Sequence, residues 1–222
     1  MLQCLIQGVL LGGLYAIIGI GMSMVFGIMG LTNLAHGDLM ILGTYITMLL
    51  TTTSGLPLFL SVIISVVIMA IIGFVVQNCL VNRVLDKGSE PALLVTFGVS
   101  IFLSNLILKL FSADYKSIPN SLASTNVLST KVLSISGIYL FSFIVGLVVI
   151  AVLSYIMQKT NFGRSIRATS NDTMAAELMG VNTKRAYSYA MIIAMVTAAI
   201  AGALVGSTFT FNPASGTSYL II

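Results

Sequence analysis

The polar residues of "GLTNLAHGDLMILG" (30–43) interrupt a stretch that is otherwise almost continuously apolar. Asn33 offers an amide, His36 is the only histidine of the chain, and Asp38 is its first charged residue. A single histidine excludes zinc motifs of the HExxH type and leaves no serine–histidine–acid set to complete elsewhere. There is no GxxxxGK[ST] segment, so the chain binds no ATP through a phosphate loop of its own. Cys4 and Cys79 lie in separate apolar runs without CxxC spacing, which argues against metal and disulfide roles. No catalytic set, metal site or cofactor is expected. What Asn33, His36 and Asp38 suit is a path for a polar solute. A polar break in an apolar span is tolerated only where the freed backbone meets protein or a watery cavity. Discontinuous helices of this kind line substrate sites in transporters. The plainer reading is a tight turn between two spans with His36 merely hydrogen-bonded. In both, Asn33, His36 and Gly37 interrupt the helix, and Asp38 caps the next one beside its favourable N-terminal dipole.

The other informative polar stretch is "KTNFGRSIRATSNDTMAAELMGVNTKRAYSYAM" (159–191). It predicts a short helix over 171–179, with Asn171 or Asp172 as cap and Gly180 as the stop. Ala175, Ala176, Leu178 and Met179 would present its apolar surface. Flanked by Arg164, Arg167, Lys184 and Arg185, such a helix suits an anionic lipid surface or a groove on a soluble partner about equally.

The elements that position these residues follow from composition. The chain of 222 residues is 58% hydrophobic and only 7% charged, with a mean hydropathy of +1.09. A soluble domain carries about 25% charged residues, so most of this surface must face lipid. The net charge of +4 is too small and scattered to suggest nucleic acid. The predicted fold is an all-α polytopic bundle of about six spans, at 4–29, 39–53 (short), 58–81, 92–111, 137–157 and 186–209. The helix is broken near 31–38, and a short helix lies near 172–179. Alternation of apolar and polar residues late in 112–136 suggests a strand or hairpin. No Lys or Arg precedes Arg83, so the first run is expected to be a retained span, not a signal peptide.

Basic residues set the orientation. Arg83 and Lys87, and then Lys159, Arg164, Arg167, Lys184 and Arg185, fall on one side of six alternating spans, which should be cytoplasmic. Lys116 and Lys131 lie on the outer loop, and Lys109 near the outer end of its helix can snorkel. Gly8 and Gly12 are four residues apart, as are Ala198, Gly202 and Gly206, so small residues share helix faces where backbones can approach closely. Plain helix packing and the lining of a moving pathway both fit that spacing.

Several segments resemble one family. "GLYAIIGIGMSMVFGIMGLTNLAHGDLMILGTY" (13–45) is similar to the N-terminal signature of branched-chain amino-acid ABC permeases. "LLVTFGVSIFLSNL" (93–106), "AMVTAAIAGALVG" (194–206), and Gly-Arg-Ser-Ile-Arg-Ala (163–168) followed by Ala175-Ala176-Glu177 and Gly180-Val181 fit as well. The resemblance implies a permease subunit in a prokaryotic cytoplasmic membrane, importing branched-chain amino acids or related small polar solutes. Its implied partners are a second permease subunit, two ATP-binding subunits and an extracytoplasmic solute-binding protein. Arg164, Arg167, Ala175, Ala176, Glu177 and Gly180 would form the segment that couples it to the ATPase, although simple anchoring also explains the arginines. An ion-coupled carrier or channel is the alternative; Asp38 as the only acid near membrane depth speaks against it. The resemblance also implies further spans after Ile222, so 1–222 is expected to be one permease domain lacking its C-terminal spans.

Overall fold

In a computed structural model, residues 2–119, 126–130 and 133–220 are described. Lys131, assigned above to the outer loop, lies outside the described residues. The helices in chain order are α1 (Leu2–Met29), α2 (His36–Thr52), α3 (Leu58–Val76), α4 (Asn82–Val84), α5 (Ser89–Phe111), α6 (Gly137–Lys159), α7 (Asn161–Asn171), α8 (Thr173–Leu178), α9 (Thr183–Thr208) and α10 (Ser215–Leu220). A π-helical turn, Gln77–Val81, joins α3 to α4, so one helical rod runs from Leu58 to Val84. Five helical segments of the described chain are long and apolar enough to cross a membrane. The predicted second span is shorter: α2 has 17 residues, about 25 Å.

The long helices are apolar nearly all round, as lipid demands, and the buried face of α3 is mostly small or polar. Along α3 the inward positions are Ser61, Ser65, Met69 and Gly73, each four apart, while Phe59, Ile63, Val67, Ile71 and Phe74 face outward. Where lipid is as apolar as leucine, helices associate through close packing and hydrogen bonds. Ser65 Oγ accordingly donates to the Gly43 carbonyl of α2 at 3.1 Å.

α9 is the hub. It packs against α1, α2 and α3, and it is the most buried of the long helices. The expected small-residue face is used there. A methyl placed on Gly202 would stand 2.6 Å from both the Met40 carbonyl oxygen and Thr44 Oγ1, and Ala198 is fully enclosed. Gly206 lies equally close to Thr44, Ile118 and Phe211. Gly8 and Gly12 form no close contact within the described chain. Both lie on the exposed face of α1 with no other described residue against them. The close approach falls at Gly13, which abuts Phe143 of α6, because the inward face of α1 carries Leu10, Leu14 and Ile17.

The predicted hairpin is present as β1 (Asn126–Thr130) paired antiparallel with β2 (Leu133–Ser136). Lys116 and Phe211 exchange backbone hydrogen bonds of 2.9 Å, which pins the loop after α5 onto the end of α9. Beyond Phe211 the chain turns back, and α10 packs against α2.

Candidate functional site

The break lies between α1 and α2. Gly30, at φ +63°, ends α1 in the left-handed conformation that glycine tolerates best. Residues 31–35 then run back without helical hydrogen bonding, and Leu31, Asn33 and Ala35 are buried. Part of their polar backbone is satisfied within the segment and part by α5, as burial requires. Asn33 Oδ1 accepts from the Ala35 amide at 3.1 Å, the His36 amide donates to the Asn33 carbonyl at 3.0 Å, and the Leu34 amide donates to Thr96 Oγ1 of α5 at 3.3 Å. The segment is therefore an enclosed interruption, and the His36 amide to Asn33 carbonyl bond closes a tight turn within it.

All three polar side chains of the break are 2% exposed, yet they diverge. Asn33 Nδ2 reaches Met191 Sδ of α9 at 3.6 Å. The His36 ring and Thr197 Oγ1, near the middle of α9, both lie against Gly21 of α1. Neither ring nitrogen has a hydrogen bond of good geometry, and the Ile18 carbonyl is the polar backbone group within its reach. His36 also borders a cavity of about 250 Å³ together with Ser23 and Tyr219. Asp38 is not the expected cap. It stands inside the first turn of α2, where Ala35 is the capping residue and makes no side-chain bond. Its carboxylate instead accepts from Ser100 Oγ, and from Ser104 Oγ at 2.9 Å, near the middle of α5. A second cavity, about 300 Å³, opens beside this cluster. Leu220 of α10 borders both cavities, and Gly216 of α10 packs on Gly37 and Asp38 so closely that neither glycine admits a Cβ.

Ser100 and Ser104 were missed by sequence reasoning. Two hydroxyls four apart in an apolar span are a readable signal for one polar helix face. Nothing in the sequence alone pairs that face with Asp38.

At the end where the basic residues cluster, α7 leaves α6 at Thr160, whose hydroxyl accepts from the Gly163 amide at 3.0 Å. Asp172 caps α8 by accepting from the Ala175 amide at 3.0 Å, and Gly180, at φ +83°, stops it with a Val181 amide to Ala176 carbonyl bond of 2.9 Å. Leu178 and Met179 are each 84% exposed, Met174 is nearly as open, and Ala175 faces out with them. Ala176 departs from the expected apolar surface: it is buried against its own chain and does not share the exposed face of Leu178 and Met179. Arg164 donates to Asn161 Oδ1, and both Arg164 and Arg167 are exposed. Glu177 accepts from Thr183 Oγ1 at 2.6 Å, which fastens α8 to the first residue of α9.

One turn further along α9, Ser188 Oγ donates to Asn78 Oδ1 at 3.0 Å and accepts from Asn82 Nδ2 at 3.3 Å. Gln77 completes this network with a 2.9 Å bond to Asn82 Oδ1. The head of α9 is thus tied to the π-turn after α3. Among the described residues there is no cluster of histidine, cysteine and acidic side chains able to hold a metal ion.

Long apolar helices around a buried irregular break, with a short exposed helix at the basic end, define a polytopic membrane protein. The whole of residues 4–222 matches the family model described as the branched-chain amino acid transport system permease component, and the chain belongs to that family. It is 27% identical to the high-affinity branched-chain amino acid transport system permease protein BraD of Pseudomonas aeruginosa, over 97% of this chain and 74% of the relative. It is 28% identical over the same shares to the corresponding protein LivH of Salmonella typhimurium. The fructose import permease protein FrcC of Rhizobium meliloti is also 28% identical, over 90% of this chain and 55% of the relative. No solved structure matches the chain significantly.

Proposed function

We propose that this chain is the membrane permease subunit of an ATP-driven importer for branched-chain amino acids or closely related small polar solutes. It acts in the cytoplasmic membrane of a prokaryote. Residues 1–222 belong to one permease domain, and the basic end faces the cytoplasm. The partners in this reading are a second permease subunit, two ATP-binding subunits at the basic end, and a solute-binding protein on the other face. The chain itself performs no catalysis.

The observation that carries the proposal is α8. An exposed apolar residue beside a bilayer is usual on a span, but α8 is capped, stopped and fastened to the head of α9 with Leu178 and Met179 left bare. A short amphipathic helix of this kind is an anchor for a groove. Arg164, Arg167 and Ala175 flank the docking face, while Glu177 and Gly180 fix the helix to the head of α9. Force applied to α8 passes through Glu177 and Thr183 into α9, and through Ser188 into the end of α3. Because α9 packs tightly on α1 and α2, its tilt moves the walls around Asn33, His36 and Asp38, which form the solute path. The exposed Gly8 and Gly12 face suits contact with another helix from outside this chain.

Uptake measurements test this reading. Membrane vesicles containing the assembly should accumulate radiolabelled leucine against its gradient when supplied with ATP. They should continue to do so after ionophores collapse the proton and sodium gradients. Accumulation that follows an ion gradient and ignores ATP would overturn it.

A further inference from the structure

The cavity beside Asp38 indicates which part of a solute is recognised. Resting on the transport reading above, we propose that Asp38, Ser100 and Ser104 form an ammonium subsite, which holds the protonated amino group of an aliphatic amino acid while the cavity walls receive its side chain.

Asp38 is a carboxylate enclosed near the middle of the bundle, and among the described residues no basic side chain pairs with it. Acidic side chains at membrane depth are costly, and they generally face a partner or a watery cavity. The first turn of α2 and two serine hydroxyls provide part of the compensation for Asp38. A carboxylate has about four acceptor sites, and the two serines fill only two. A primary ammonium brings three donors and no acceptor. It can therefore bond the remaining carboxylate positions and the serine oxygens, which still have lone pairs free after donating to Asp38.

The adjoining cavity is about 300 Å³ and is walled by Leu34, Phe97 and Ile101, with the hydroxyl-bearing Thr217 at its edge. That size lies at the small end of ligand sites. An aliphatic side chain gains from the apolar wall. A sugar or an aliphatic acid would leave the Asp38 charge without a cation, and an acid would add a second negative charge beside it.

The test reads occupancy of the cavity directly, independently of transport. In the assembled permease, the exposed Cys4 and Cys79 are replaced by serine, and Ile101→Cys supplies a thiol in the cavity wall. Its labelling rate is measured with 3-methylbutylamine, which keeps the ammonium of leucine, and with 4-methylpentanoate, which lacks it. The amine should protect roughly tenfold better than the acid, the scale expected for one charged hydrogen-bonded contact. Asp38→Asn keeps an acceptor for the serines but not the charge, and should erase that difference. Ser104→Ala, a milder change, should reduce it. Equal protection by both compounds, no protection by either, or an unchanged difference in Asp38→Asn overturns the subsite. Because no uptake is needed for this readout, failure of the transport reading would show separately, in the vesicle experiment.

Discussion

Leu178→Asp combined with Met179→Asp abolishes ATP-driven uptake while leaving the folded permease in the membrane. Both side chains are 84% exposed and contribute almost nothing to the packing of their own chain, so stability should change by less than about 0.5 kcal/mol. If both insert into a groove of an ATP-binding subunit, each loss costs about 2 kcal/mol of docking energy, on the scale of interface anchors. Taken together that is roughly a thousandfold in affinity, and a buried carboxylate without a partner adds to it. Co-purification of the ATP-binding subunit with the permease, measured beside the amount of folded permease, checks both halves of the prediction. Ala176→Asp is the informative contrast. Ala176 is buried in this chain, so that variant should lower the thermal stability of the permease itself.

Gly202→Val should prevent α2 and α9 from packing. A methyl at that position would stand 2.6 Å from the Met40 carbonyl oxygen, which belongs to the α2 backbone and cannot rotate aside. Overpacking of this kind costs about 1–3 kcal/mol and occasionally more. Here the contact is backbone and the displaced helix carries His36 and Asp38, so the upper end applies. The expected result is a large drop in melting temperature in detergent and little folded protein in membranes. Gly12→Ala, on the exposed face of α1, should leave the melting temperature of the isolated chain unchanged or slightly raised, since alanine favours the helix.

The contrast between those two glycines shows what the sequence could and could not disclose. Hydropathy located the spans because each must present about 20 apolar residues to lipid. The caps at Asp172 and the stops at Gly30 and Gly180 obey local rules that act within one turn. Spacing by four placed Gly8–Gly12 and Ala198–Gly202–Gly206 on helix faces, but spacing does not state which face meets a neighbour, and the first pair points outward. Asp38 failed as a cap for a similar reason. A carboxylate in the first turn of a helix is local information, whereas its two serine partners are more than sixty residues away. Ala176 and Leu178 read equally apolar, and only the docking of α7 and α8 onto α9 separates the buried one from the bare one. The break at 31–35 was legible as a break. Its enclosure by α5 and α9 was not.

Transport energised through α8 is the centre of this account, and cross-linking from that helix tests it most directly. A photoreactive side chain at position 178, in membranes carrying the complete assembly, should yield one protein adduct containing a nucleotide-hydrolysing subunit, and its yield should change when ATP is added. Adducts formed only with lipid, with ATP-driven uptake intact, would contradict it.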